Sequence, residues 1–312
     1  MSDAKRIGVV GARGHVGVEL LSLLLAHPSY EVAYVGSRAL AGTALRDLVD
    51  TDSALAFESL DATRVAERSV DAVVLALPNG VSGDYVQAIE AAQPDAVVLD
   101  LSADHRFDDD WTYGLPELNR DAILGASRIA NPGCYATAAQ LALWPLLDEL
   151  DGPAAIFGVS GYSGAGTTPS DNNNVEHLRD NLIPYKLTDH IHEREIGHRL
   201  GRSVHFMPHV APFFRGITLT INCALKRDVA VEEVRRRFAE HYDAEPLVTL
   251  QDQAPLVRDA VGKHHATIGG FTTQAGRVVV IATLDNLLKG AATQALQNLN
   301  LALSLPERSG LR

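Results

Sequence analysis

The sequence predicts an α/β protein of two domains, a doubly wound parallel sheet followed by an α+β domain. Three observations lead there. Continuous apolar runs of strand length alternate with helical stretches through the first part of the chain. A glycine-rich turn follows the first of these runs, and past Leu150 the pattern changes to alternating strands. The 312 residues also exceed one ordinary core.

Taken in order, Arg6-Ile7-Gly8-Val9-Val10 reads as a buried parallel strand. It runs into Gly11-Ala12-Arg13-Gly14-His15-Val16-Gly17 and an apolar helix over Val18–Leu25. Strand, glycine turn and helix are the context of a dinucleotide fingerprint: the glycines allow a tight turn, close approach of a pyrophosphate and close helix packing. The spacing is GxxGxxG rather than the commoner GxGxxG, and a turn without a ligand is the plain alternative. The sheet is therefore expected to be Rossmann-type. A second strand over Glu31–Gly36 ends in Ser37-Arg38. An NAD site usually carries an acid here for the ribose 2′-hydroxyl; a hydroxyl and a guanidinium suit a 2′-phosphate, which predicts NADP.

Strands are predicted over Asp71–Leu77, Ala96–Leu101 and Arg128–Ala130, with a helix over Val81–Ala92. Ligands of such sheets bind at the strands' carboxyl ends. Gly11, Pro78, Ser102 and Cys134 all follow such ends and are expected to line one crevice. Arg106 would hold a phosphate there or pair with the acidic run Asp108-Asp109-Asp110.

Asn131-Pro132-Gly133-Cys134 joins the last of these strands to a helix running from about Ala136 to Leu147, with the thiol at its first turn. Open backbone N–H groups and the helix dipole stabilise an anion there, and the thiolate is the nucleophile. A small buried residue is the alternative. Strands follow at Ala154–Val159, His205–Met207, Gly216–Leu225 and Arg277–Thr283, with an amphipathic helix over Val231–Tyr242 and helices on one side of a mixed sheet. The loop from Ser160 to Thr168, rich in glycine and hydroxyls, can wrap a substrate. His190 and His192 open another helix; two apart, they cannot share a face as a zinc pair, so no metal is expected. Either can serve as acid/base to a cysteine, and His209 competes. Cys223 is read as core. A final helix from Asp285 through Leu303 is expected to return to the first domain, with Asn286 near the nicotinamide.

Composition narrows the function. At 46% hydrophobic residues the chain is globular, and a formal charge of −12 argues against a nucleic-acid partner. Two cysteines without a CxxC pair exclude a disulfide scaffold and suit a reducing, cytoplasmic setting. Met1–Arg6 is charged and short rather than a signal peptide, and no apolar run reaches the roughly 18 residues of a membrane span.

With these pieces placed, the chain resembles the N-acetyl-γ-glutamyl-phosphate reductase family, relatives of the aspartate-semialdehyde dehydrogenases. The matching motifs begin with the glycine turn, Ser37-Arg38 with Ala41-Gly42, Leu77-Pro78-Asn79-Gly80 and Asp100 to Asp104. They continue with Tyr113-Gly114-Leu115-Pro116-Glu117, Asn131 to Tyr135, Ser160 to Gly166, His190/His192 with Glu195-Ile196, Pro208 to Gly216, and Asp285 to Gly290. The resemblance implies NADPH-dependent reduction of an acyl phosphate in arginine biosynthesis, with Cys134 as nucleophile and His192, or else His190, as acid/base. It implies cofactor contacts from Gly11, Arg13, Gly14, His15, Val16, Gly17, Ser37, Arg38, Pro78, Ser102, Ser163, Gly164 and Asn286. Substrate contacts are implied for Arg106, Asn131, Ser160, Gly161 and Arg215. An NADP-binding domain over residues 1–134 and 285–312, a catalytic and dimerisation domain over 135–284, and a homodimer or homotetramer are implied as well. Aspartyl or aminoadipyl phosphate as substrate, or a non-catalytic NADP-sensing regulator, are the alternatives.

Overall fold

The computed structural model describes residues 4–311; residues 1–3, the head of the charged start, and residue 312 lie outside the described residues. Backbone contacts divide the chain into two compact units, one of residues up to Pro132 and from Ala291 onward, the other of Gly133–Gly290.

In the first unit, β1 (Lys5–Val10) leads through its turn to α1 (His15–Leu25) and β2 (Tyr30–Gly36). Then come β3 (Phe57–Glu58), α2 (Ala62–Ala66), β4 (Ala72–Leu75), α3 (Ser82–Ala92), β5 (Val97–Asp100), β6 (Thr112–Tyr113), α4 (Pro116–Ile123) and β7 (Arg128–Ala130). The strands form one sheet in the order β3-β2-β1-β4-β5-β7-β6, every neighbouring pair parallel. Strand residues alternate between two cores. Ile7, Val9 and Val74 pack with Leu20, Leu21 and Leu24 of α1, while Val10, Val73 and Leu75 pack with Tyr85, Val86 and Ile89 of α3. Both faces are covered, which is why these strands are continuously apolar. The strand order reverses between β1 and β4, the switch point of a doubly wound sheet.

The second unit opens with α5 (Cys134–Leu143), a 3₁₀ turn over Trp144–Glu149 and β8 (Ala154–Gly161). It continues with α6 (Val175–Leu178), β9 (Ile183–Pro184), α7 (Ile191–Leu200), β10 (Val204–Ala211), β11 (Ile217–Ala224) and α8 (Val231–Tyr242). The last elements are β12 (Val248–Leu250), α9 (Val257–Ala260), β13 (Ala266–Gln274) and β14 (Arg277–Leu284). Its seven strands make a mixed sheet, β12-β13-β14-β11-β8-β10-β9. The side chains of Ile156, Phe206, Leu219 and Val280 are buried on one face, where α5 packs on β11 and β14 and α8 on β13. The register aligns Met207, Phe157, Thr220 and Ile281 across the other face, where Phe157 is 39% exposed. β12 and β13 are additions to the sequence reading. In β13, Gly269-Gly270 mimics a turn but forms an irregularity in the ladder, with Gly270 at φ +65°.

The final helix also differs from expectation. The chain from Asp285 does not enter an α-helix directly; it makes a π-helical turn over Leu288–Ala292 before α10 (Thr293–Ala302). The Asp285 carboxyl accepts the N–H groups of Leu287 and Leu288, and the Gly290 N–H reaches back five residues to the Asp285 carbonyl at 2.9 Å. α10 packs on α1, α4 and β5 of the first unit. It is buried all round, polar residues included: Gln294 and Asn298 donate to the Gly114 carbonyl at 2.9 Å, and Asn300 accepts from the Tyr30 hydroxyl at 2.7 Å.

Candidate active site

In the first unit a cavity of about 360 Å³ opens at the carboxyl ends of β1, β2 and β4, lined among others by Gly11, Arg13, Ser37, Arg38, Pro78 and Tyr85. The three glycines of the turn serve different ends. Gly11 has φ +87°, and a β-carbon there would lie 2.3 Å from the Ala76 carbonyl oxygen; on Gly17 it would meet the Ala12 backbone at 2.6 Å. Gly14 has open space instead. It is the N-cap of α1, with no side-chain cap and no acid in the first turn. His15, Val16 and Gly17 form that first turn and lie outside the cavity lining.

α3 contrasts with this. Its start is closed by Asp104, whose carboxyl accepts the Gly80 N–H at 2.7 Å and the Ser82 hydroxyl at 2.8 Å. The helix end open to an anion is thus that of α1. Arg38 is exposed at the mouth of the cavity. Glu58, whose backbone carbonyl accepts the Ser37 N–H, is paired by both its carboxyl oxygens with Arg68, whose hydrogen bonds hold its carboxyl below the usual range. Ser102 is not in the lining: its hydroxyl donates to buried Asp100 at 2.6 Å and accepts the Asp104 N–H, tightening the turn after β5. Arg106, 7% exposed, donates to the carbonyls of Asn131 and Leu101 at 2.8 and 2.9 Å. Asn131, 1% exposed, accepts from Asn298 at 3.1 Å.

In the second unit, Cys134 is the first residue of α5 and is partly exposed. Gly133 is the N-cap, extended, without a side-chain cap. Its own N–H donates at 2.9 Å to Glu195 of α7, a fully buried carboxyl. Behind the cysteine, a β-carbon on Gly290 would come within 2.7 Å of the Cys134 β-carbon, so glycine alone fits. Lys289, fully buried, precedes it in the π-helical turn.

The histidines separate by geometry. His190 is the N-cap of α7: its Nδ1 accepts the His192 N–H at 3.1 Å. Burial, aided by Lys186, pushes its pKa down to about 4, so it is a neutral cap at ordinary pH. His192, half-buried, sets its ring 5.7 Å from that of Tyr135, the residue after Cys134. His209 is removed from the competition by strand alternation. Its ring packs on Phe157 at 4.5 Å on the sheet face opposite Phe206, and Phe206 is the one that meets Tyr135. Cys223 is 1% exposed, and burial pushes its thiol up to about 12.

The loop residues gather in the same unit. The N–H groups of Gly161, Tyr162 and Ser163 bond the backbone of Phe213–Gly216, and a β-carbon on Gly161 would strike the Phe214 carbonyl at 2.6 Å. This sets Arg215 beside Ser160 and Gly161. Asn286 ties the corner, donating to the Ser163 hydroxyl at 2.9 Å and accepting the Gly216 N–H at 2.7 Å. A β-carbon on Gly164 would meet the Ser160 hydroxyl at 2.9 Å and lie 3.8 Å from the Asn286 amide. Arg215 pairs with fully buried Asp285 through Nε at 2.7 Å and Nη2 at 3.0 Å.

Glu195, Gly290 and Tyr185 are additions to the sequence reading of the site. Tyr185 hydrogen-bonds Tyr135, and burial foremost, with the Cys134 charge second, raises its pKa. Glu195 carried a signal, one helical turn past His192, but its bond to the Gly133 N–H joins positions remote in sequence. Among the described residues no group of three or more His, Cys, Asp or Glu can hold a metal, and no helix is long and apolar enough to cross a membrane.

A dinucleotide-type parallel sheet joined to a mixed-sheet unit that begins on a helix-borne cysteine defines a class of two-domain dehydrogenase. Residues 6–126 match the family model described as "Semialdehyde dehydrogenase, NAD binding domain", and residues 134–286 match "Semialdehyde dehydrogenase, dimerisation domain". The chain is 58% identical over 308 residues to an N-acetyl-gamma-glutamyl-phosphate reductase of Stenotrophomonas maltophilia, covering 98% of this chain and 97% of that one. It is 56% identical to the protein of that name from Xanthomonas axonopodis pv. citri, covering 99% and 98%. Aspartate semialdehyde dehydrogenase II of Vibrio cholerae shares the fold, with a TM-score of 0.80 at 20% identity over 97% of this chain and 99% of that one. The enzyme from Candida albicans, solved with NADP, gives a TM-score of 0.75 at 18% identity, with the same coverage. The chain belongs to the semialdehyde dehydrogenase family and, within it, to the N-acetyl-γ-glutamyl-phosphate reductases.

Proposed function

We propose that this chain reduces N-acetyl-γ-glutamyl phosphate to N-acetylglutamate 5-semialdehyde with release of phosphate, using NADPH, as a step of arginine biosynthesis. The observation that carries the reading is a thiol on the first residue of a glycine-capped helix, beside a helix that carries an imidazole. Cys134, favoured as thiolate by the α5 dipole, attacks the acyl carbonyl. Phosphate leaves and a thioester remains. Gly11, Ser37 and Arg38 would hold NADPH, which would supply a hydride to the acyl carbon. His192 takes the thiol proton at the start and returns it to the departing sulfur at the end, since His190 is committed to its cap. First-turn N–H groups of α5 stabilise the oxyanion, an effect worth about 2.7–4 kcal/mol per donor.

The first unit fits a dinucleotide: Gly11 admits the close approach, the α1 end takes the pyrophosphate, Pro78 lines the wall, and Ser37 with Arg38 favours a 2′-phosphate. Arg215, held by Asp285, binds the substrate carboxylate bidentately with Ser160 and Gly161 beside it. Ser163, Gly164 and Asn286 serve the nicotinamide side, and Arg106 and Asn131 serve the substrate, Arg106 as a holder of its phosphate. The unit spanning Gly133–Gly290 is the catalytic and oligomerisation domain of a cytoplasmic homodimer or homotetramer, with the open face around Phe157 as contact.

The deciding assay is NADP reduction with N-acetylglutamate semialdehyde and phosphate, repeated with NAD and with aspartate semialdehyde. Turnover on the acetylated aldehyde with NADP supports the proposal. Preference for aspartate semialdehyde moves the substrate, and NADP binding without turnover on any aldehyde makes the chain a sensor.

A further inference from the structure

Asp285 is fully buried, and both its carboxyl oxygens are engaged. Oδ1 accepts Arg215 Nη2 at 3.0 Å and the N–H groups of Leu287 and Leu288 at 2.9 and 3.3 Å. Oδ2 accepts the Gly262 N–H and pairs with Arg215 Nε, both at 2.7 Å. The negative charge is thus met by a guanidinium and by backbone N–H groups, the condition under which burial of a charge is tolerated. The pair is unequal: the Asp285 side chain is sealed at 0% exposure, whereas that of Arg215 is 19% exposed. The carboxyl anchors and the guanidinium presents. The main chain of the same residue has a second task. Its carbonyl accepts the Gly290 N–H at 2.9 Å, and Gly290 is the residue pressed on the Cys134 β-carbon. One residue therefore fixes Arg215 through its side chain and the flank of Cys134 through its backbone.

We propose that Asp285 is a positioning residue that sets the span from the Arg215 guanidinium to the Cys134 sulfur, and with it the length of acyl chain the enzyme accepts. This deepens, and rests on, the reading of Arg215 as partner of the substrate carboxylate and of Cys134 as nucleophile. The aspartyl, glutamyl and aminoadipyl chains differ by one methylene each. With the carboxylate held at one end, a chain one methylene short or long brings its carbonyl to the sulfur out of place by roughly 1 Å, and a misplacement of that size costs on the order of 10²-fold in rate. The discrimination lasts only while the guanidinium is fixed. Tethered at Nε and Nη2, the planar fork moves with its anchor; released, its long side chain would follow carboxylates at several distances. Charge and reach are separable. Asparagine keeps the size and one acceptor oxygen but removes the charge, and glutamate keeps the charge but lengthens the arm by one methylene.

The test compares kcat/KM for phosphate-dependent oxidation of N-acetylglutamate semialdehyde with that of the acetylated aldehydes one methylene shorter and one longer, in the full-length enzyme. Asp285→Asn is expected to raise KM for the native-length aldehyde about tenfold or more and to narrow its advantage over the other two by at least about tenfold. Iodoacetamide alkylation of Cys134 should keep its native rate in this variant, which shows the nucleophile intact. Asp285→Glu is expected to move the advantage toward a neighbouring chain length. Arg215→Ala should narrow the advantage as Asp285→Asn does, and combining the two should lose nothing further, because the carboxyl acts through the guanidinium. Native length selectivity in both Asp285 variants, whatever their kcat, overturns the proposal and leaves a structural ion pair. A further loss in the double variant, or failure of both Asp285 variants to fold, overturns it too. Native KM and selectivity in Arg215→Ala overturns instead the assignment of Arg215 to the carboxylate, and full turnover in Cys134→Ala the functional reading itself.

Discussion

α1 and α5 begin alike. Each starts behind a glycine N-cap in extended conformation, Gly14 at φ −76°, ψ 166° and Gly133 at φ −74°, ψ 150°, with no capping side chain and no acid in the first turn. Their surroundings differ. Around Gly14 there is open space, and the neighbouring helix end at α3 is closed by Asp104. Around Gly133 the protein fills the space itself, with Glu195 on the N–H and Gly290 behind the cysteine. The same electrostatic feature is left open for an anion from outside in one unit and assigned to the chain's own sulfur in the other. An uncapped helix start thus reads as functional only together with what lies next to it.

Four substitutions test the contrast. Cys134→Ala is expected to lower turnover by on the order of 10⁴-fold or more while NADPH binding and melting temperature stay native; cofactor binding lost along with activity would mean misfolding instead. His192→Asn should cost about 10²- to 10⁴-fold in kcat, and solvent isotope effects locate the affected proton transfer. Gly14→Asp turns the open end into a closed one. The site has room and an ordinary φ, so calorimetry should show unchanged or slightly higher stability, by about 0.5–1 kcal/mol. NADPH should bind about tenfold or more weakly, a loss of at least about 1.4 kcal/mol, and native affinity would remove the pyrophosphate from α1. Arg38→Ala sharpens the same end: fluorescence titration should show NADPH weakened roughly tenfold and NADH unaffected.

The smallest effect concerns a helix start with a side-chain cap. Burial depresses the folded-state pKa of His190 to about 4, against about 6.5 when unfolded. As pH falls below 6.5 the unfolded chain takes a proton that the folded cap refuses, so this group's stabilisation declines until about pH 4 and no further. Between pH 6.5 and 5 the loss is on the order of 1–2 kcal/mol. Urea unfolding at the two pH values, compared with His190→Asn, should show a flatter dependence in the variant.

Much of this was legible in the sequence where burial is two-sided or strictly alternating. The parallel strands carry unbroken apolar runs because helices cover both faces, and the glycine turn and Asn131 to Cys134 stand at the ends of such runs. The unreadable parts depend on distant partners. Gln294 and Asn298 look like a polar helix face until Gly114 is seen beside them. The π-helical turn follows from Asp285 holding three separate segments, through Arg215, Gly262 and the N–H groups of Leu287 and Leu288. The two paired serine and arginine positions illustrate both cases: Ser37-Arg38 is a local signal, whereas the engagement of Ser102 and Arg106 by their own turn is not.

With the backbone of residue 290 pressed against the Cys134 β-carbon, the sulfur is walled on that flank. Electrophiles have to arrive from another direction, so shape will govern which reagents inactivate the protein. A slim haloacetamide should outpace a bulky maleimide of greater intrinsic reactivity.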